Sequence, residues 1–169
     1  MLRTTIKASV LGELQRQLNQ ELGAAHNYQA LSLWCEEQHF KGFASFFEKQ
    51  AAEERLHAQK ISDHLLDRGI LPELGSIPAP KGKFENILEL AEHAQTMEQT
   101  NTAGIRQAYE AAIREPDLPA QVLLHWFIKE QVEEEAWADE MVTRVARAGC
   151  SGGLSDLDRH IERYLERED

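Results

Sequence analysis

The stretch GILPELGSIPAPKGK, residues 69–83, carries three of the five prolines in this chain of 169 residues. Proline removes a backbone donor and clashes with the preceding helical turn, so this stretch interrupts any helix. When extended, its roughly fifteen residues reach about 50 Å, close to the length of a helix of about 30 residues. The stretch is therefore long enough to connect two parallel helices from one end of a bundle to the other.

Four long amphipathic helices are predicted around this connector. Apolar residues recur every three to four positions in each of them, as on one face of a helix. Short turns join the first pair and the last pair, which is typical of antiparallel neighbours, and Pro116 and Pro119 fall at the second of these turns. The predicted helices cover residues of about 6–37, 41–68, 84–114 and 119–148.

A short fifth helix is predicted over about 155–167, with Ser155 as its N-cap after two glycines. A chain of this length can arrange four such long helices only side by side. The sequence therefore predicts an all-α fold in one domain, residues 1–169. It consists of a four-helix bundle of about 6–148, with a long crossover between helices two and three, followed by the short C-terminal helix.

The composition argues against several classes of partner. The chain has 18 Lys and Arg residues against 29 Asp and Glu residues, a net charge of -11, which opposes binding to nucleic acid or anionic membranes and favours cations. No apolar run approaches the length of a transmembrane helix. Two distant cysteines, Cys35 and Cys150, and a start without a signal-peptide core predict a reduced protein of the cytoplasm.

Polar residues interrupt the apolar stripe of every long helix. On the first helix, Glu21 continues the row of Leu14 and Leu18. On the second, Glu54 and His57 lie one turn apart on the inward face. The full set of inward polar residues is Glu21, Glu54, His57, Glu98, Gln131 and Glu134.

These residues matter as a group because of their charge. Taken singly, each is explained more simply as a paired residue or one at the bundle rim. Together, the four glutamates bring a charge of about -4 into one interior, and burying unpaired ions costs several kcal/mol each. The apolar stripes contain no lysine or arginine that could balance the charge of these glutamates. Either the carboxylates are protonated or cations lie among them.

Two divalent ions would balance the four glutamates, with His57 as a neutral nitrogen ligand. Four carboxylates and an imidazole from four helices are typical of a dinuclear iron or manganese site in a bundle. Glu54 is the expected bridge between the two ions. Glu21 and His57 then complete one position, and Glu98 and Glu134 complete a second position that binds its ion more weakly.

Several motifs along nearly the whole chain are similar to those of one family. They include LNQEL at 18–22, EERLH at 53–57 and EQVEEE at 130–135. On these motifs the chain resembles the ferritins, and most closely the bacterial non-haem ferritins.

The resemblance implies a ferroxidase centre, at which two iron ions per subunit bind and react. Tyr28 matches the tyrosine that lies beside this centre in the family, although it is equally explained as a core aromatic residue. The implied centre is formed by Glu21, Glu54, His57, Glu98 and Glu134, with Gln131 beside it. The resemblance also implies a third, weaker iron position at Glu53, Glu130 and Glu133 with Glu134, residues that a solvated acidic face explains equally well.

The resemblance further implies what the protein does. It would store and detoxify iron, oxidising Fe(II) to Fe(III) with O2 or H2O2 and depositing the mineral inside a homo-oligomeric cage of twenty-four subunits. No haem is expected, because Arg55 stands where bacterioferritins carry a haem-ligating methionine. Glu115 and Asp117, near the turn between the third and fourth predicted helices, are candidates for the lining of a pore.

Two other functions are consistent with the residues themselves. One is a di-iron or di-manganese peroxidase or oxidase that stores nothing. The other is a structural or adaptor bundle without catalysis, whose inward glutamates are half solvated or protonated. The glycines inside predicted helices, Gly12, Gly23 and Gly104, have no explanation from the pattern, and each costs about 1 kcal/mol relative to alanine.

Overall fold

The computed structural model describes residues 5–166 and contains five helices. No strand occurs among these residues, and the predicted all-α fold is confirmed. None of the helices described is long and apolar enough to cross a membrane. The helices are α1 (Ala8–Glu37), α2 (Lys41–Asp67), α3 (Ile87–Arg114), α4 (Leu118–Ala148) and α5 (Ser151–Leu165).

Buried apolar side chains form two clusters, which we call the first and second apolar clusters. The N-terminal halves of α2 and α3 share the first cluster and their C-terminal halves share the second, so these helices run parallel, as predicted. In α1 and α4 the C-terminal halves contribute to the first cluster and the N-terminal halves to the second, so these two helices run antiparallel to α2 and α3. The first cluster takes its residues from 28–35, 43–51, 87–94, 137–145 and 157–165, and the second from 6–18, 58–65, 105–112 and 120–127.

The crossover between α2 and α3 lies along α1 and is held there by two amide side chains. Oε1 of Gln15 accepts a hydrogen bond of 2.7 Å from the backbone N–H of Glu73. Asn19 donates to the carbonyl of Glu73 at 2.9 Å and accepts from the N–H of Gly75 at 2.7 Å. These bonds satisfy backbone groups that a helix-free segment cannot satisfy itself.

Capping side chains fix the starts of α3 and α4. Asn86 accepts from the N–H of Glu89 at 2.9 Å, so α3 begins at Ile87 rather than near the predicted 84. Asp117 caps α4 by accepting from the N–H of Ala120 at 3.0 Å. Its carboxylate also accepts from the guanidinium of Arg68 at 2.8 Å, which ties the start of α4 to the end of α2.

The fifth helix begins four residues earlier than predicted. Its N-cap is Cys150, whose Sγ accepts from the N–H of Gly153 at 3.4 Å, and the prediction of Ser155 as N-cap is wrong. The physical reason is packing: a Cβ on Gly153 would lie 2.4 Å from the carbonyl oxygen of Ala148. Glycine therefore serves the close approach to α4 instead of interrupting the helix. The predicted end of the helix, at residue 167, lies outside the described residues.

Helix α5 packs across one end of the bundle and supplies a hydrogen-bond acceptor for the first turn of α2. No side chain of α2 caps its own N-terminus, but Oδ1 of Asp158 accepts from the N–H of Phe43 at 3.0 Å. Lys49 adds ion pairs with Glu162 at 3.0 Å and Glu166 at 3.1 Å. The backbone of α5 comes so close that a Cβ on Gly42 would lie 1.7 Å from the carbonyl oxygen of Asp158.

We expect Gly42→Ala to destabilise the fold by about 1–3 kcal/mol, the usual cost of overpacking. The added methyl group must push α5 away from α2, because the atoms it meets are backbone. The measurement is thermal unfolding by circular dichroism, with Gly12→Ala as the matched control. Gly12 has nothing within 4 Å of an added Cβ, so that variant should be slightly stabilised. Equal melting temperatures for the two variants would contradict this account of α5.

Candidate metal centre

The six inward polar side chains lie in one layer between the two apolar clusters, near the middle of each long helix. Three of the carboxylates are as inaccessible as the apolar core, since Glu21 is 0% exposed and Glu54 and Glu98 are each 1% exposed. Bulk water therefore does not solvate their charge. The remaining members of the layer, which are also buried, are Gln131, Glu134 and His57.

Glu21, Glu54 and His57 form the first group of candidate ligands. Nδ1 of His57 lies 3.1 Å from Oε2 of Glu54 and 3.9 Å from Oε2 of Glu21. One donor atom from each residue lies within 4.8 Å of the other two. Among the described residues, Oε1 of Glu54 has no hydrogen-bond partner although it is buried. A buried carboxylate oxygen without a donor is a natural ligand for a cation.

A second group of candidate ligands includes the same histidine. Donor atoms of His57, Glu130 and Glu134 also lie within 4.8 Å of one another. The indole Nε1 of Trp137 donates to Oε2 of Glu134 and fixes that carboxylate. The imidazole thus lies within reach of both groups, whereas the sequence predicts it for the position of Glu21 alone.

Glu98 is held by two donors from neighbouring helices. The hydroxyl of Tyr28 donates to Oε1 of Glu98, and Nε2 of Gln131 donates to Oε2 at 3.2 Å. Tyr28 is also a core residue, since it is fully buried and its ring stacks on that of Phe47 with centroids 5.9 Å apart. Tyr28 therefore packs in the first apolar cluster and also contacts a candidate ligand.

Burial raises the pKa of all four carboxyl groups in the layer. The pKa of Glu98 rises to about 7 because of burial. Burial also raises the pKa of Glu21 well above its usual value, and the neighbouring charge of Glu54 adds to this rise. For Glu54 and Glu134, burial and the charge of Glu98 raise the pKa. The metal-free layer therefore retains protons at neutral pH.

An open cavity of about 430 Å³ lies beside the layer and connects it with the surface. His57 and Glu134 form its inner wall. Glu53 and Glu133 are exposed at its outer part, with the half-buried Glu130 between. The three acidic residues predicted for a weaker iron position therefore line one cavity and lead to the candidate ligands.

The sequence analysis missed three residues that contact the candidate ligands. Nε2 of Gln17 donates to Oε1 of Glu21 at 2.6 Å, and Nδ2 of Asn101 donates to Oε2 of the same carboxylate at 3.2 Å. The third is Trp137, described above. Each lies about one helical turn from a predicted ligand, so the helical spacing would have identified them once the ligands were chosen.

Comparison with known proteins agrees with this geometry. The family model of the ferritin-like domain matches residues 11–148. The bacterial non-heme ferritin of Staphylococcus haemolyticus (strain JCSC1435) is 38% identical over 144 residues, which cover 85% of this chain and 87% of that protein. The bacterial non-heme ferritin of Staphylococcus aureus (strain MRSA252) has the same identity and coverage.

Solved structures extend the similarity to the whole fold. The open pore ferritin of the hyperthermophilic archaeon Archaeoglobus fulgidus superposes with a TM-score of 0.90 at 29% identity, covering 97% of this chain and 100% of that one. A closed form of the same ferritin, engineered by site-directed mutagenesis, has the same TM-score and covers 99% of its own chain. The family model spans most of the bundle, and the staphylococcal relatives are 38% identical over 85% of this chain, so this chain belongs to the ferritin family.

Proposed function

We propose that this protein binds Fe(II) in the polar layer, oxidises it to Fe(III) and stores the product as a ferric mineral. The observation that carries the proposal is the burial of Glu21, Glu54, Glu98 and Glu134 in one layer with a single imidazole. Apart from the imidazole of His57, which lies 3.1 Å from Glu54, the groups that donate hydrogen bonds to these carboxylates are amides, a phenol and an indole. Two divalent ions supply the positive charge that such donors lack.

The chemistry of the donors suits iron, and membership of the ferritin family favours iron over manganese as the substrate. Carboxylate oxygens are hard ligands that suit both Fe(II) and Fe(III), and one imidazole adds affinity at one end of the site. In this proposal Glu54 lies between two ions, with Glu21 and His57 on one side. Glu98 and Glu134 hold the other ion, with Gln131 beside it.

Two iron ions held together allow a two-electron reaction. Each Fe(II) gives one electron, so a pair reduces one O2 to H2O2, or one H2O2 to two waters, and either reaction consumes two protons. The protein's part is to place both ions and to exclude other reductants. Tyr28 keeps its proton at neutral pH, because burial and the nearby charge of Glu98 raise its pKa well above 10. It therefore remains a hydrogen-bond donor to Glu98.

The acidic cavity offers a path between the centre and the mineral. Glu53, Glu130 and Glu133 present carboxylates without burying them fully, so they would bind iron more weakly than the layer does. A weaker third position next to Glu134 lets an oxidised ion move outward when the next ion enters. The negative field of the whole chain, with a net charge of -11, concentrates Fe(II) near the protein.

Storage requires an enclosed space, and we propose a homo-oligomeric cage of twenty-four subunits in the cytoplasm. Large apolar side chains are exposed on the crossover and on α4, where a single chain leaves them in water. They include Leu71 at 81%, Leu74 at 71%, Val122 at 70% and Leu118 at 69%. Apolar residues this exposed favour contact with other subunits. The two cysteines are unpaired, which is consistent with a reducing compartment.

We expect Glu54→Ala to slow aerobic Fe(II) oxidation by more than about 10-fold, the scale associated with residues that merely orient metal ligands. The variant removes the carboxylate proposed to lie between the two ions. The rate is followed by the absorbance of Fe(III) after anaerobic Fe(II) is mixed with air-saturated buffer. Glu48→Gln, an exposed change on the same helix, should keep the wild-type rate. An unchanged rate in Glu54→Ala would remove Glu54 from the centre.

We expect the metal-free protein to lose stability as pH rises from 6 to 8. A carboxyl group whose pKa is raised in the folded state stabilises the fold below its unfolded pKa, and this contribution is lost as pH passes the folded value. For Glu98, with a pKa of about 7, the loss over this range is about 1 kcal/mol. Chemical unfolding at pH 6, 7 and 8 measures it. Glu98→Gln should flatten the slope, and a slope equal to that of the wild type would contradict the assignment.

We expect the purified protein to elute as an assembly of about twenty-four chains and to retain iron through gel filtration. A peroxidase or oxidase that stores nothing, or an adaptor bundle, has no reason to do either. The measurement combines light scattering with iron analysis of the eluted peak after aerobic loading. A monomer or dimer that leaves its iron behind would contradict the storage function, even if iron oxidation is fast.

A further inference from the structure

Three buried amide side chains form a continuous chain of hydrogen bonds behind the carboxylates. Gln17 of α1 is 0% exposed and Asn101 of α3 is 2% exposed, and they lead to Gln131 of α4, which is 3% exposed. Buried amides must find their partners inside the protein, since leaving one unpaired costs about 1–3 kcal/mol. Their arrangement is therefore fixed by the groups around them.

The hydrogen bonds that link these three amides all run in the same direction. Nε2 of Gln17 donates to Oδ1 of Asn101 at 2.6 Å, and Nδ2 of Asn101 donates to Oε1 of Gln131 at 3.4 Å. Each amide nitrogen also lies within hydrogen-bond distance of a carboxylate, and that of Gln131 donates to the hydroxyl of Thr102 at 3.0 Å as well. Gln17 and Asn101 donate to the two oxygens of Glu21, at 2.6 and 3.2 Å, and Gln131 donates to Glu98 at 3.2 Å.

Arg16 anchors the oxygen end of this chain. Its NH1 group donates to Oε1 of Gln17 at 3.4 Å and to Oε1 of Gln20 at 2.8 Å. Its NH2 group donates to the backbone carbonyl of Gly104 at 2.7 Å. Arg16 also pairs with Glu13 at 2.8 Å. Because its guanidinium donates to the oxygen of Gln17, the nitrogen of that amide faces Glu21 and Asn101.

The same contacts explain one of the three helical glycines. A Cβ on Gly104 would lie 2.7 Å from Oε1 of Gln17 and 2.8 Å from both NH1 of Arg16 and Oε1 of Gln20. Glycine at this point of α3 leaves room for these three side-chain ends, and an added Cβ would displace them. Gly23 has only Ile77 nearby, at 3.9 Å, and Gly12 has nothing within 4 Å, so nothing in the structure requires glycine at these two positions.

We propose that Gln17 and Asn101 are positioning residues for iron binding. They hold the Glu21 carboxylate and the Gln131 amide in the binding orientation before iron arrives, while each Glu21 oxygen keeps a lone pair for a cation. This inference rests on the proposed function, because it assigns the amides to the same centre. It goes beyond that function by placing the determinants of iron affinity on residues that do not touch the ion.

The two amides should have different effects on the two iron positions. Gln17 contacts only Glu21 among the candidate ligands, whereas Asn101 contacts both Glu21 and Gln131. Removing the Gln17 amide should therefore weaken the position formed by Glu21. Removing the Asn101 amide should weaken both positions, because it interrupts the chain in the middle.

The test is an anaerobic titration of the assembled protein with Fe(II), in which calorimetry measures the binding. We expect Gln17→Leu to weaken one of the two iron equivalents by about 10–100-fold, and Asn101→Leu to weaken both by a similar factor. Gln95→Leu is the matched control, since its amide also joins two long helices, α3 and α4, but donates to the exposed Asp139, at 3.3 Å. Wild-type affinities in both variants would overturn the inference. A wild-type chain that binds no iron would instead overturn the proposed function, and this inference with it.

Two glycine variants distinguish an effect on the positioning of the ligands from an effect on folding. Gly104→Ala and Gly12→Ala bring the same gain in helix propensity, but only the first displaces Gln17 and Arg16. We expect Gly104→Ala to bind the first iron equivalent about 10-fold more weakly and Gly12→Ala to bind it as the wild type does. Metal-free melting temperatures verify that both variants are folded. Equal iron affinities in the two folded variants would contradict the proposed role of the amide chain.

Discussion

Four carboxylates that share one dry layer impose the constraint to which the rest of the bundle responds. Their mutual repulsion and lost hydration work against the folded state, and the apolar clusters on either side supply the compensating stability. Long helices meet this need, because each must carry apolar residues for both clusters and still place its carboxylate near mid-length. The crossover then allows α2 and α3 to run parallel and bring their central turns to the same level.

The neutral groups around the layer show how the protein tolerates this charge. Amides, a phenol and an indole bond the carboxylates without cancelling them, so the layer keeps its demand for cations. A lysine or arginine at the position of Asn101 would satisfy Glu21 permanently and would compete with a metal ion. The charged anchor, Arg16, is instead separated from Glu21 by the amide of Gln17.

The long helices and the candidate ligands were predictable because both follow from helical periodicity. Glu21, Glu54, Glu98 and Glu134 stand at positions where the apolar stripe should continue, and their charge makes the interruption visible. Asn101 was not predictable in this way, because a single uncharged amide in a stripe has no comparable cost until its partners are known. The start of α5 was misplaced for a related reason: the role of Gly153 depends on Ala148 in another helix, and such contacts leave no periodic signal.

The cap that α5 provides for α2 has a consequence for how the chain acquires its structure. Asp158 follows Phe43 by 115 residues in the chain, so the first turn of α2 has no side-chain acceptor until those residues have also been synthesised. At about 5–20 residues per second, that interval lasts roughly 6–23 seconds. A nascent chain paused before its last helix would therefore present the open end of the bundle, with Phe43 and its neighbours accessible to chaperones and proteases.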